Sequence, residues 1–213
     1  MKNISVLLFL LITLALNAQN NKTSGLNARQ FHKYWKVESE SPDYKVTFLG
    51  DTVEILSPKG LTLWRKEKMS GKVTIEYDAC VVVEVEGDRL SDLNCFWMAS
   101  DPQYPDNIWK REKWRSGIFL NCYSLQLYYM GYGGNHNSTT RFRRYDGNEA
   151  AITNAKARPA ILKEYTDADH LLEANKWYHI KITNENNRVS YYINGVRLVD
   201  FRDADPLTEG WFG

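Results

Sequence analysis

An all-β fold, an antiparallel sandwich or jelly roll, is what this 213-residue sequence predicts. Three observations carry it. Strand-length apolar runs recur at close spacing, Asn194-Gly195 divides two of them near the end, and no convincing amphipathic helix intervenes beyond a turn or two at 167–174.

Taken in order, residues 1–18 hold Lys2, the apolar runs 6–12 and 14–18, and no acidic residue, which is the pattern of a secretory signal peptide. The run is short for a bilayer span, so no membrane span is expected. The implied cut follows Ala18, with Leu16 where a small residue is preferred and no cysteine at the cut to take a lipid. An exported protein, periplasmic or secreted, is expected. Residues 19–28 are polar and read as a flexible leader, and 29–213 as one β domain, since about 195 residues suffice for a single core.

Strands are predicted at 44–49, 52–56, 61–64, 72–85, 93–99, 116–122, 124–130 and 139–145, then at 177–183, 188–193 and 196–201. Within 72–85, Val73, Ile75, Tyr77 and Ala79 alternate with Thr74, Glu76 and Asp78 before an all-apolar stretch that implies burial on both faces. Asn194-Gly195 marks a tight hairpin. Residues 209–213 (EGWFG) read as the start of a strand whose edge needs a partner, so a further strand is expected beyond Gly213.

The chain has 27 Lys and Arg against 26 Asp and Glu, and the signal segment 1–18 carries only Lys2, leaving the remainder neutral. Bulk charge therefore predicts no nucleic-acid partner. Local charge differs: residues 109–115 (WKREKWR) and 141–144 (RFRR) are basic, and local fields recruit anionic ligands. Cys80, Cys95 and Cys122 are an odd set in apolar runs, read here as buried free thiols. No Cys/His or dense carboxylate pattern proposes a metal, and no cofactor is expected.

Residues 128–147 (YYMGYGGNHNSTTRFRRYDG) stand out, with a glycine turn, side-chain amides and hydroxyls, one histidine and three arginines in a hairpin-like unit. A turn needs Gly and Asn for backbone with φ > 0. It does not need Arg141, Arg143 and Arg144 beside Tyr128, Tyr129 and Tyr132, and that combination points to an acidic, hydroxyl-rich ligand such as an anionic oligosaccharide. Trp109 and Arg115 read either as part of a sugar-stacking, anion-binding rim or as a loop anchored by its tryptophans. By period two, Arg141 and Arg143 share a face and Arg144 points away, and one of Tyr128 and Tyr129 faces the core. The glycines read equally as a bulge, and His136 as an exposed loop histidine.

The tail, WYHIKIT then RVSYYINGVRLVDF, resembles concanavalin-like (laminin-G-like) jelly-roll domains. With the hairpin, DLNCFWMASDP at 92–102 and DPLTEGWFG at 205–213 resemble an exported Bacteroidota jelly-roll family of unknown function associated with polysaccharide degradation. That family is similar to oligosaccharide dehydratases and lyases acting on ulvan-type uronic-acid glycans. The resemblance implies a carbon–oxygen lyase performing β-elimination at a uronic acid. It favours a dehydratase expelling water at the non-reducing end, with a glycosidic-bond lyase and a non-catalytic carbohydrate-binding module as alternatives.

Such an elimination removes the C5 proton beside a carboxylate, so the developing charge must be neutralised, for which Arg141 is suited and Asn135 and Asn137 can assist. His136 with Tyr129 or Tyr132 is the candidate base and acid pair, the roles left open. Thr140, Arg143 and Asn94 complete the expected substrate contacts. A retaining hydrolase needs two carboxylates about 5 Å apart. The nearest pattern, Glu76 and Asp78, has Val81 where a third acid is wanted.

Overall fold

A strand that alternates apolar and polar residues buries one face, and two such sheets satisfy one another by packing face to face. The structure, a computed structural model, describes residues 28–213 together with the backbone of Val6–Leu11. Its strands are β1 (Val6–Leu11), β2 (Trp35–Ser39), β3 (Lys45–Leu49), β4 (Thr52–Ser57), β5 (Leu61–Arg65), β6 (Met69–Ser70), β7 (Val73–Val82), β8 (Leu93–Ser100), β9 (Gln126–Gly133), β10 (Thr139–Asp146), β11 (Lys163–Tyr165), β12 (Trp177–Glu185), β13 (Arg188–Ile193), β14 (Val196–Arg202) and β15 (Glu209–Gly210). Helix α1 (Ala28–Tyr34) precedes β2 and is anchored by the buried ring of Phe31.

One layer is antiparallel throughout, in the order β14-β13-β12-β7-β1-β4-β3. The other contains β11-β10-β9-β8 and is extended by the last residues of the chain. Phe96 and Gly213 exchange two backbone bonds of 2.6 and 3.0 Å, Ala99 bridges Trp211, and the Arg65 amide donates to the Phe212 carbonyl at 2.8 Å. Residues 209–213 thus connect β8 to β5, which pairs with β2. Gly210 passes so close to β8 that a Cβ there would lie 2.2 Å from the Met98 carbonyl carbon. The Asn194-Gly195 turn has φ of 49° and 81°, as a two-residue hairpin between β13 and β14 requires.

The main core lies between the layers, where Ile75, Tyr77, Ile180, Ile182 and Tyr191 meet Trp97, Tyr128, Met130 and Phe142. A second apolar cluster covers part of the outer face of β8, β9 and β10. There Phe96, Leu127, Tyr129 and Tyr145 pack under Ile108, Cys122, Tyr123 and Ala151. The covering residues come from short helical turns. The strand expected at 116–122 is among them: Ser116 and Gly117, with φ of 50° and 70°, turn the chain, and Phe119–Ser124 is a 3-10 helix. Its apolar residues serve the outer cover, so Phe119 packs on Phe96 and Tyr129.

This cover is tied down by an ion pair. Arg115, wholly buried, grips Glu38 of β2 through Nη2 at 2.9 Å and Nε at 3.3 Å. Burial pushes the Glu38 carboxyl up, opposed by the guanidinium that holds it. Cys80, Cys95 and Cys122 are buried free thiols, and burial pushes those of Cys95 and Cys122 up to about 12.

Of the expected signal segment 1–18, only the backbone of Val6–Leu11 is described, as β1 between β4 and β7. An unbroken apolar run suits both a leader and a strand with neighbours on each side. The rest of 1–18, and 19–27 of the leader, lie outside the described residues. The turn or two expected at 167–174 is a 3-10 turn, Ala168–His170.

Arg115→Ala should lower stability by about 3–5 kcal/mol, because it leaves the Glu38 carboxylate buried and unpaired. Replacing both partners, Glu38→Leu with Arg115→Met, should recover most of that loss in urea denaturation.

Candidate functional site

Residues directly opposed in an antiparallel ladder share a face, so the strand register reads out the outer surface of the β8–β11 sheet. One row is Asn94, Gly131, Arg141 and Glu164, and the next contains Phe96, Tyr129 and Arg143. The cover ends over Tyr129, where Phe119 remains 36% exposed. Beyond it the first row is partly open, with Glu164 exposed, Asn94 and Arg141 half-buried and Gly131 buried, a polar and charged strip bordered by aromatic rings.

Tyr129 links the covered and open parts. Its hydroxyl donates to Asn94 Oδ1 at 3.2 Å. Its ring lies along the strand over Gly131, where a Cβ would fall 2.1 Å from the phenol oxygen, so only glycine permits this placement. Burial drives the Tyr129 hydroxyl far above its ordinary value, with Arg143 pulling weakly the other way. At neutral pH it is therefore a proton donor, not the tyrosinate a base would need. Arg141 Nε donates to Glu164 Oε1 at 2.5 Å, and Arg143 Nη1 to the Pro159 carbonyl. Both side chains are only partly buried.

At the end of this strip the chain makes a left-handed turn. Asn135, His136 and Asn137 have φ of 53°, 58° and 56°, three consecutive non-glycine residues in a region that L side chains avoid. Asparagine tolerates it, whereas His136 carries a penalty of roughly 1–2 kcal/mol. Asn137 secures the turn by bonding both the carbonyl and the amide of Leu172, each at 2.8 Å. Asn135 Nδ2 donates to Ser138 Oγ at 3.0 Å, and that hydroxyl donates back to the Asn135 carbonyl at 2.7 Å. His136 is left exposed at the tip. Strain of this kind is kept where the surroundings enforce it, which marks the turn as a candidate for function.

The expected site residues therefore divide. Asn94, Tyr129, Arg141 and Arg143 share one face, with Asn135, His136 and Asn137 at its end. Tyr132 is excluded from it: it faces the sandwich core, packs edge-on against Tyr178 at 5.2 Å, and donates to the Leu171 carbonyl. Thr140 is buried and structural, donating to the His170 carbonyl at 2.6 Å and accepting from the Gly133 amide. Arg115 is sealed in its pair with Glu38 and cannot reach a ligand. Trp109 packs edge-on against Trp211 beneath the Lys36 ammonium, as an anchor does, and Trp114 is the exposed one at 42%. Arg144 points to the other face and pairs with Asp203 at 2.7 Å.

Glu164 and Phe119 belong to this surface and were not singled out by the sequence. Glu164 sits in a three-residue strand too short to show a period, and Phe119 in a run whose apolar content resembles a strand. The carboxylates Glu76 and Asp78 lie on the large sheet, paired with Lys181 at 2.7 Å and His179 at 2.8 Å. Among the described residues no three His, Cys, Asp or Glu side chains converge to hold a metal, and no helix is long and apolar enough to cross a membrane.

Asn137→Ala removes both bonds to Leu172 and the residue type that tolerates the left-handed backbone. A loss of about 2 kcal/mol is expected, with faster amide exchange at Leu172 than at core amides such as Ile180.

No curated protein matches the chain. A solved Bacillus subtilis protein of unknown function with a galectin-like fold superposes with a TM-score of 0.65 at 15% identity, over 88% of this chain and 84% of that one. The carbohydrate-binding module CBM66 from Bacillus subtilis superposes with a TM-score of 0.53 at 17% identity, over 84% of each chain. At such identities these likenesses establish the fold, a galectin-like jelly-roll sandwich. A family model, described as a domain of unknown function (DUF6250), matches residues 55–213, from within β4 through the whole of the proposed face to the last residue. On that match over most of its length, the chain belongs to the DUF6250 family.

Proposed function

We propose that the protein binds an acidic oligosaccharide on the open strip of the β8–β11 sheet, with a uronate carboxylate held by Arg141 and Arg143. The observation that carries this reading is the placing of two arginines on one face, in the same two rows as the Asn94 amide and the Tyr129 hydroxyl. A pyranose can lie across the strip over the Tyr129 phenol, which covers the buried Gly131, while its hydroxyls meet Asn94 and its acid meets the guanidinium groups. The exposed Phe119 ring offers an apolar wall to the other side of the sugar. Support comes also from the galectin-like fold of one structural neighbour and from the other being a carbohydrate-binding module.

A second reading, a carbon–oxygen lyase on the same ligand, is favoured by one observation: a protonated Tyr129 hydroxyl on a face that ends in the strained, exposed His136. In that chemistry the His136 imidazole takes the C5 proton and the arginines neutralise the charge growing on the carboxylate. The C5–H electron pair forms the C4=C5 double bond, and the C4–O bond breaks. Tyr129 protonates the departing oxygen, which leaves as water in a dehydratase or as a sugar hydroxyl in a lyase. Ulvan-type uronic-acid glycans are substrates that this reading accommodates.

Removing a charge-assisted contact costs about 1.5–3 kcal/mol, or roughly 10- to 100-fold in affinity. Arg141→Ala and Arg143→Ala should each weaken binding of a glucuronate-terminated oligosaccharide by that factor in calorimetry, and leave the carboxyl-reduced neutral analogue unaffected. Equal losses for both ligands would refute the carboxylate assignment. Mass spectrometry after incubation separates the two readings. Loss of one water, or cleavage to an unsaturated end, that disappears in His136→Ala supports elimination, whereas unchanged mass with retained binding leaves a binding module.

A further inference from the structure

Far along the chain from the hairpin, the side opening of the sandwich is also unusual. Helix α1, β2 and the edge strand β3 enclose a groove of about 380 Å³, within the range of small-ligand sites. Phe31 and Trp35 form its buried floor, and Phe48 meets Phe31 edge-on at 5.4 Å. Tyr44, 37% exposed, and Val46 line the mouth. Three basic side chains, His32, Lys36 and Lys66, complete a lining that contains no acidic residue.

Charge accounting narrows what can sit there. Lys36 is paired with Glu112, but the Lys66 ammonium donates to the His32 carbonyl, at 2.6 Å, and makes no ion pair among the described residues. The chain before α1 cannot supply the counter-charge, because no acidic residue precedes Glu38. An aromatic floor with a cationic rim is complementary to a ring that presents one apolar face and carries an anionic group.

We propose that this groove is a second carbohydrate site, taking one acidic sugar unit with its apolar face on Tyr44 and Phe48 and its carboxylate or sulfate at Lys66. The ligand class rests on the function proposed above; the place does not. Two sites on one chain let a long acidic glycan engage both in succession, so that the second contact is made at a high effective concentration.

The test is a titration of isotope-labelled protein with a glucuronate-terminated disaccharide, followed by amide shifts. Saturable shifts at Val46, Phe48 and Lys66 are expected, and separately at Gly131 and Arg141. Tyr44→Ala with Lys66→Met, both at partly exposed positions, should weaken the groove response at least 10-fold and leave the Gly131 response unchanged. Groove amides that stay still while Gly131 and Arg141 respond overturn the second site alone, as does a groove response unaffected by the double variant. A response confined to the groove upholds this site and removes the sheet face as the primary one. Silence at both places overturns both assignments.

Discussion

The contact between Arg115 and Glu38 governs how the outer layer of this protein is built. Two charges taken out of water are tolerable only when each grips the other, so wherever β2 lies, the 112–115 turn must lie against it. That fixes the start of the segment carrying Phe119, Cys122 and Tyr123 across the sheet, and hence the line at which the apolar cover stops. The open strip follows from where the cover is pinned.

On that strip the chemistry is a matter of omission as much as placement. Gly131 contributes no side chain, and the space is taken from one side by the Tyr129 phenol, whose proton is retained because the ring is buried. The arginines lie two positions apart on one face and are each restrained by a partner, Glu164 for Arg141 and the Pro159 carbonyl for Arg143. Restraint of this kind reduces the conformational entropy lost when a ligand binds. The left-handed turn at 135–137 is held from the far side by Leu172, so the position of His136 depends on a loop more than thirty residues along the chain.

The fold was legible because the strands of the sandwich obey period two and the 188–201 hairpin uses a dipeptide suited to two positive φ values. The cover was not. Ile118, Phe119 and Leu120 have the composition of a strand, and only the backbone reversal at Ser116 and Gly117 shows that they lie across a sheet rather than in one. The site was legible in part for the same reason. Parity put Arg141 and Arg143 together, but it could not say that Tyr132 faces the core while Tyr129 faces out, since both lie in a run buried on each face. Arg115 was misread because a basic cluster between tryptophans has the same composition whether it is a rim or a buried clamp, and the partner that decides the matter, Glu38, is 77 residues away.

The Arg141–Glu164 pair has one further consequence. Glu164 occupies the guanidinium before any ligand arrives, acting as an internal stand-in for a carboxylate. If the proposed acid binds here, it must exchange with Glu164 instead of meeting a naked cation, so association would swap one ion pair for another and change local charge less than at a free arginine. Under the binding proposed for this face, discrimination would then depend on what a ligand offers beyond its charge, favouring acids carried on a ring of the right shape over simple anions of the medium.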